Sequence, residues 1–268
     1  MASNGQRLMG EAELQREFFT RVARDYDATH SPRDEHGLAL QWLKGCIEFH
    51  DFQSLLEIGA GTGRRLQNLR DQFPHMNLLG VEPVAALREQ GYAAGLPPEI
   101  LTAADGYDLP FGDIEFDVVT EFAMLHHVRH PERVISEMLR VARRAIFVSD
   151  CNNFGHGSTT ARRVKIALYR MGLWRLFIWA RTRGKGYDVS EGDGISYSYS
   201  VFGSLGQVRR ACSNGIYILN TSPLDVPLKG SLLFSASHVA VLGLRDRNSN
   251  DRYSLWSGLP TSPWHGAV

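Results

Sequence analysis

A glycine-rich turn that follows a short apolar segment constrains the fold more than any other feature. The segment SLLEI, residues 54–58, leads into Gly59-Ala60-Gly61-Thr62-Gly63, and residues 64–72 then show helical periodicity. Glycine tolerates positive φ and lets a ligand approach the backbone closely. The N–H groups at the start of the next helix favour a polar or anionic ligand. The pattern therefore predicts a strand, a ligand-binding turn and a helix.

Short apolar segments and helical patterns alternate along the rest of the chain. Strands are predicted at residues 54–58, 78–81, 100–102, 116–120, 145–149, 216–220 and 238–244. Helices are predicted at residues 11–26, 37–49, 64–72, 84–93, 131–141, 159–183 and 202–213. The strands are too continuously apolar for a sheet with one solvated face. We therefore expect an α/β fold, a doubly wound, mostly parallel seven-stranded sheet with helices on both faces, which is Rossmann-like.

The length of 268 residues fits one large domain with an added subdomain. We expect residues 1–245 to form a single domain with an insertion at residues 155–200, after the fifth strand. Within it, residues 159–183 are predicted to be a basic helix. Residues 184–200, rich in Gly, Ser and Tyr, are predicted to be a loop or lid. Residues 246–268 are expected to be a loosely ordered tail.

Composition limits the partners and the compartment. The 29 Lys and Arg residues balance 29 Asp and Glu residues, so no DNA partner is expected. No apolar stretch reaches the roughly 20 residues that span a bilayer, and the polar N-terminus lacks a signal-peptide core, so a cytoplasmic protein is expected. The three cysteines lie far apart and predict neither a disulfide nor a zinc site. No metal site is predicted.

Acidic residues beside the turn distinguish two classes of ligand that such turns bind, namely dinucleotides and nucleosides with an amino-acid-like end. Dinucleotide-binding turns need a third glycine where this chain has Arg64. Glu57, two residues before the first glycine, would repel a pyrophosphate but could anchor an ammonium group. Glu82 ends the second strand, where a carboxylate can accept hydrogen bonds from ribose hydroxyls in either class. Asp105 follows the third strand and could accept a hydrogen bond from an adenine amino group. A nucleoside with an amino-acid-like end fits these residues better than NAD.

Four segments together resemble the class I S-adenosylmethionine-dependent methyltransferases, and the type 11 family in particular. They are LLEIGAGTGR (55–64), LLGVEP (78–83), AADGYDLPF (103–111) and FDVVTEFAMLHHV (116–128). The resemblance covers roughly residues 18–150, is weaker from 202 to 244, and is absent from the insertion and tail. It implies S-adenosyl-L-methionine as the cofactor.

The resemblance also implies which residues contact the cofactor. Glu57, Gly59, Ala60, Gly61 and Gly63 would line its methionine end, Glu82 and Pro83 its ribose, and Asp105 and Gly106 its adenine. Glu121 and Phe122, just past the fourth strand, would face the sulfonium, and Tyr26 would lie near the cofactor entrance. Relatives often have a small or polar residue where this chain has Glu121. That departure indicates a role for Glu121 in orienting the substrate.

The function expected is direct in-line methyl transfer to an O or N nucleophile of a small molecule. The acceptor is expected to be anionic, a sugar or a natural-product intermediate. His127 and His156 are candidate general bases, because imidazole titrates near neutrality. The alternative for His127 is that it braces the turn before the next helix, and for His156 that it is a polar loop residue. A non-catalytic subunit that binds the cofactor is the rival function.

The segment 159–185 is the most individual part of the chain. It contains eight basic residues and no acidic residue, with aromatic residues between them. It could bind a phosphate or carboxylate of the acceptor. It could lie on an anionic membrane, so that the protein methylates a lipid-linked intermediate. It could pack its apolar residues Leu168, Leu173, Trp174, Leu176 and Phe177 into the domain or a dimer. RNA binding is a minor option. These interpretations stay open.

Overall fold

The structure is a computed structural model that describes residues 10–29, 33–222 and 231–245. The prediction for the tail at 246–268 lies outside the described residues. The helices are α1 (Glu11–Val22), α2 (Glu35–His50), α3 (Arg64–Gln72), α4 (Ala85–Ala93), α5 (Pro131–Val141), α6 (Thr159–Arg170), α7 (Trp174–Arg181), α8 (Val201–Ala211) and α9 (Leu232–Ser235). The strands are β1 (Ser54–Ile58), β2 (Asn77–Val81), β3 (Leu101–Thr102), β4 (Phe116–Phe122), β5 (Ala142–Cys151), β6 (Tyr187–Ser190), β7 (Gly194–Tyr197), β8 (Gly215–Asn220) and β9 (His238–Leu244).

Seven strands form one sheet in the order β3-β2-β1-β4-β5-β9-β8. The pairs among β1 to β5 are parallel, whereas β9 runs antiparallel to both β5 and β8. The prediction of a mostly parallel seven-stranded Rossmann-like sheet is confirmed. Because β9 is antiparallel, it begins at the edge where β1, β4 and β5 end. Residues from all four strands therefore meet at that edge.

Helices cover both faces of the sheet, as the continuous apolar strands predicted. Side chains that alternate along a strand point to opposite faces. In β1, Leu55 packs in a buried cluster with Leu43 of α2. Its neighbour Leu56 packs in a second cluster with Met138 of α5. The sheet is thus buried between two apolar layers, and its carboxyl edge is left to carry polar side chains.

The insertion differs from the sequence prediction in two ways. The helix predicted at 159–183 is two helices, α6 and α7, because Gly172 adopts a positive φ of 71° and ends the first. The segment predicted as a loop at 184–200 contains a separate β-hairpin, β6–β7. The hairpin packs on α1, where the backbone N–H of Ile195 donates to Gln15 Oε1 at 2.5 Å. The segment predicted as a loop or lid therefore contains β structure that the sequence analysis did not predict.

The fourth strand is longer than predicted. Glu121 and Phe122 are its last two residues rather than residues just past it. Their pairing with Val148 and Ser149 of β5 continues the parallel ladder, which holds both side chains in fixed positions. Within the described residues, no helix has the length and apolar character needed to cross a membrane.

Candidate active site

The glycine turn between β1 and α3 has the left-handed backbone that its sequence predicted. Gly59, Gly61 and Gly63 have φ values of 66°, 61° and 73°. A Cβ at Gly59 would lie 2.7 Å from Met124 Cγ, so a side chain there would displace Met124. The N–H of Ala60 donates to the Val81 carbonyl at 3.0 Å and ties the turn to β2. The turn is therefore fixed, with backbone close to any ligand above it.

Glu57 is buried beneath this turn with a relative exposure of 1%. Its Oε1 accepts a hydrogen bond from Arg65 Nε at 2.6 Å. Its Oε2 is buried and has no hydrogen-bond partner among the described residues. Burial raises the pKa of Glu57, and the charge of Arg65 partly offsets that increase. Because buried polar atoms are almost always satisfied, the free oxygen indicates a missing donor.

Glu82 joins the end of β2 to the same turn. Its Oε2 accepts from the backbone N–H of Gly61 at 3.0 Å, and its Oε1 from that of Val84 at 2.9 Å. Burial raises the pKa of this carboxyl group. Each oxygen keeps a second lone pair that a ribose hydroxyl could use. The adjacent Pro83 is exposed.

Tyr26, for which a place near the cofactor entrance is predicted, lies over the glycine turn. Its ring carbon Cε1 is 3.5 Å from the position that a Cβ on Gly61 would take. The hydroxyl of Thr62 donates to Asp27 Oδ1 at 2.7 Å and fixes this segment on the turn. The helix predicted to reach residue 26 ends at Val22, which leaves Tyr26 in the connection that follows α1.

Asp105 is exposed and already has two partners. It forms an ion pair with Arg16 of α1 at 3.3 Å, and it accepts from the N–H of Tyr107 at 3.1 Å. Gly106 lies against the core, because a Cβ there would be 3.0 Å from Ile58 Cγ2. An adenine amino group would therefore share Asp105 with Arg16.

At the end of β4, Glu121 is completely buried. Its Oε2 accepts from the N–H of Met124 at 3.2 Å, and its Oε1 has no partner among the described residues. Burial, and next the nearby charge of Asp150, raise the pKa of Glu121 well above its usual value. Burial thus favours the protonated form of Glu121. Phe122 is also buried and packs its ring under the guanidinium of Arg65, 4.8 Å away.

A chain of charged groups that sequence analysis missed lies beside Glu121. Asp150, buried at the end of β5, accepts from His126 Nδ1 at 2.7 Å and from the N–H of Leu125 at 2.9 Å. His126 Nε2 lies 3.4 Å from Asp193, in the turn of the insertion hairpin. Burial lowers the pKa of His126, but Asp150 and Asp193 outweigh it and raise the pKa to about 10. His126 is therefore cationic at neutral pH.

The two predicted general bases have different surroundings. His127 Nδ1 lies 2.7 Å from the Ile195 carbonyl, and its Nε2 lies 3.3 Å from Asp193 Oδ1. Both ring nitrogens of His127 thus contact the insertion hairpin, and its role as a base stays a prediction. His156 follows β5 and stacks edge-on against His238, with ring centroids 5.2 Å apart. Burial lowers the pKa of His156.

Residues 56–147 match the family model described as a methyltransferase domain. This segment of the chain is therefore similar to the methyltransferase domains that the family model describes. The solved structure of a Thermotoga maritima protein has the same fold, with a TM-score of 0.56 and 18% identity. That match covers 86% of this chain and 99% of the other, a protein described as an S-adenosylmethionine-dependent methyltransferase and possible histamine N-methyltransferase. The cofactor prediction is confirmed at the level of the family.

Two curated relatives of the methyltransferase domain are more similar in sequence. A phosphatidylethanolamine N-methyltransferase of Cereibacter sphaeroides is 34% identical over 118 residues, which are 43% of this chain and 58% of the relative. A demethylmenaquinone methyltransferase of Thermotoga maritima is 26% identical over 129 residues, 47% of this chain and 56% of the relative. The chain thus spans a little over half the length of the curated relatives it matches.

Proposed function

We propose that the protein transfers a methyl group from S-adenosylmethionine to an oxygen or nitrogen nucleophile of a small molecule. The observation that carries this proposal is the unpartnered Oε2 of Glu57 at the glycine turn. An ammonium group is a suitable donor for a buried carboxylate oxygen, whereas a pyrophosphate would be repelled by it. S-adenosylmethionine carries such an ammonium and NAD does not.

Each residue around the turn binds a different part of the cofactor. Glu57 binds the amino group of its methionine end, Glu82 the ribose hydroxyls, and Tyr26 covers the turn. When bound, the cofactor supplies a methyl group already activated by a sulfonium. The chain's remaining task is to hold the acceptor in line, and positioning of this kind contributes about 7–11 kcal/mol. Glu121, whose Oε1 is buried and has no partner among the described residues, can orient the acceptor by a hydrogen bond.

Parallel calorimetric titrations with S-adenosylmethionine, S-adenosylhomocysteine and NAD test this proposal. Micromolar binding of both sulfur nucleosides without heat from NAD is expected. Release of S-adenosylhomocysteine in the presence of candidate acceptors then measures turnover, beginning with anionic compounds. Binding without turnover on any acceptor would favour the non-catalytic subunit. Failure of both sulfur nucleosides to bind would refute the cofactor assignment.

A second candidate, methylation of a lipid-linked intermediate at a membrane surface, is favoured by the side chains of α6 and α7. No residue of α6 is buried, and Ile178 is the buried residue of α7. Met171, Leu176 and Trp179 are 61%, 60% and 59% exposed. Trp174 does pack, because its Nε1 donates to Ser198 Oγ at 3.2 Å.

The basic residues of the same two helices would complement anionic lipid. Arg162 and Lys165 donate to backbone carbonyls, and Arg181 pairs with Asp188. Within the described ranges, no acid lies within ion-pair distance of Arg163, Arg170, Arg175, Arg183 or Lys185. Exposed aromatic and aliphatic residues beside unpaired cations are typical of helices that lie in a membrane interface. The relative that acts on phosphatidylethanolamine is consistent with a lipid acceptor.

Vesicle sedimentation tests this second candidate, because it measures the affinity of the protein for lipid vesicles. The double variant Arg163→Gln/Arg175→Gln should bind phosphatidylglycerol vesicles roughly 30-fold more weakly at low salt, since each cation contributes about 1 kcal/mol near an anionic surface. The matched control Arg209→Gln/Arg210→Gln, on α8, should bind as the unmodified protein does. Equal losses in the two variants, or no binding to vesicles at all, would argue against a membrane role for α6 and α7.

A further inference from the structure

A group of two histidines and one carboxylate lies at the carboxyl edge of the sheet. Glu35 and His36 begin α2, and His238 begins β9. One ligand atom from each of the three residues lies within 4.8 Å of the other two. His238 is paired with Cys151 of β5, which puts the group at the edge where the glycine turn and Glu121 also lie. No motif predicted it, because its members come from distant parts of the chain.

Serine hydroxyls engage one nitrogen of each imidazole. His36 Nδ1 lies 3.0 Å from Ser149 Oγ, and His238 Nδ1 lies 3.2 Å from Ser237 Oγ. Each Nδ1 is therefore engaged, and the Nε2 of His238 is the ring nitrogen that faces Glu35. Metal-ligating histidines are oriented by such hydrogen bonds from the second ring nitrogen, which fix the ring and its tautomer. The two rings lie nearly perpendicular, with centroids 5.8 Å apart.

The distance between His238 and Glu35 is compatible with two ligands of one metal ion. His238 Nε2 and Glu35 Oε1 are 3.4 Å apart. A charge-assisted N–H···O bond is about 2.7–2.9 Å long. Ligands about 2.05 Å from a tetrahedral metal ion are roughly 3.3 Å from each other. His126 Nε2 and Asp193 are also 3.4 Å apart, so a distance of this size permits metal ligation but does not by itself require it.

We propose that Glu35, His36 and His238 bind a divalent first-row transition-metal ion. Two imidazoles and one carboxylate suit Zn²⁺, Fe²⁺ or Mn²⁺ and leave further positions for other ligands. The ring of His156 packs edge-on against His238, with centroids 5.2 Å apart, and borders the group.

The position of the site relates it to methyl transfer. Ser149, which orients His36, is paired in the sheet with Phe122 at the end of β4. A metal ion at this place would bind an oxygen of the acceptor and lower the pKa of its proton. This use of the metal ion rests on the proposed methyl transfer, whereas metal binding itself does not.

Metal titration of the full-length protein without a histidine tag, and without cofactor, tests the site. Co²⁺ is followed by its visible absorption and Zn²⁺ by calorimetry. One ion per chain is expected. Glu35→Gln and His238→Gln should each weaken binding at least tenfold, and Ser149→Ala by roughly 10-fold through loss of the ring orientation. His75→Gln, an exposed histidine after α3, is the matched control and should bind as the unmodified protein does.

Two further measurements separate a loss of metal binding from unfolding of the variant or damage to the cofactor pocket. Thermal unfolding shows whether each variant is folded, and Glu35→Gln keeps the size of a side chain that is 26% exposed. Titration with S-adenosylhomocysteine, which does not use this site, shows whether the cofactor pocket is intact. Undiminished metal binding in the folded Glu35→Gln and His238→Gln variants, or no binding of one ion per chain, would overturn the proposal. Cofactor binding would then remain as evidence for the proposed function.

Discussion

Glu57→Gln is expected to lower the affinity for S-adenosylhomocysteine by roughly 30- to 150-fold at pH 7. Glu57 Oε2 is the buried oxygen that has no partner among the described residues. A hydrogen bond to a charged group contributes about 2–3 kcal/mol, which corresponds to that range of affinity. The amide has one neutral oxygen in place of the carboxylate and cannot pair with an ammonium group. Calorimetric titration of both proteins under the same conditions measures the difference.

The same substitution also lowers the stability of the fold, so a second variant is needed to separate lost stability from lost cofactor affinity. Arg65 donates to Glu57 and is itself largely buried, with 11% of its side chain exposed. Removing one partner of a buried ion pair costs about 3–5 kcal/mol of stability. The double variant Glu57→Gln/Arg65→Met removes both charges and should recover part of that stability, but none of the affinity. Glu89→Gln, on the exposed side of α4, is the control. Full affinity in a folded Glu57→Gln protein would contradict the role given to Glu57.

The part of the site that sequence analysis located is local in the chain. Glu57, the three glycines and the helix start all fall between residues 57 and 64, so one turn of known geometry brings them together. Glu82 follows from the next strand by the rule that parallel strands end at one edge. Its contact with the N–H of Gly61 at 3.0 Å agrees with that argument. The continuous apolar runs of the strands were sufficient to predict the sheet. Strands that are apolar on both faces occur mainly in parallel sheets that helices cover on both sides.

The parts that were missed depend on contacts between distant segments. Asp193 looks like an exposed loop acid in the sequence, yet it contacts His126 and His127. The hairpin that carries it has short strands with polar and exposed residues, so neither length nor alternation marked it as β structure. In the basic segment, the composition indicated one continuous helix. The structure instead has two helices, because Gly172 adopts a positive φ and ends the first of them. The packing of Gln15 against Ile195 on the insertion hairpin is tertiary, and no local pattern predicts it.

Asp150→Asn is expected to destabilise the protein by about 3 kcal/mol near pH 5.5, the low end of the cost of breaking a buried ion pair. Asp150 is completely buried and accepts from the His126 ring as well as from three backbone N–H groups, those of Leu125, His126 and Cys151. The amide nitrogen of asparagine cannot accept those bonds, and cationic His126 would lose its main counter-charge. Urea unfolding of the two proteins gives the difference in the free energy of unfolding.

The pH dependence of this difference has a definite sign. The pKa of His126 rises on folding from its ordinary 6.5 to about 10, because Asp150 and Asp193 outweigh the effect of burial. Its stabilising effect is therefore full below about pH 6.5 and is lost as the pH rises towards 10. Burial raises the pKa of Asp150, but the charge of His126 outweighs it and holds the pKa below its ordinary value of 3.8. That contribution is present above about pH 3.8 and is lost in stronger acid.

The unmodified protein should accordingly lose stability between pH 6.5 and 10 relative to His126→Gln, which cannot titrate there. The gap between the unmodified protein and Asp150→Asn should narrow over the same interval. His130→Gln is the matched control, because His130 also faces a carboxylate, Glu132 at 3.2 Å, but half of its side chain is exposed. An exposed pair contributes roughly 0–1 kcal/mol, so this control should follow the unmodified protein at every pH. The free energy of unfolding is plotted against pH for the unmodified protein, His126→Gln and Asp150→Asn. If these three curves ran parallel, His126 would not be a cation that Asp150 and Asp193 stabilise. The insertion hairpin would then need another anchor on the methyltransferase domain.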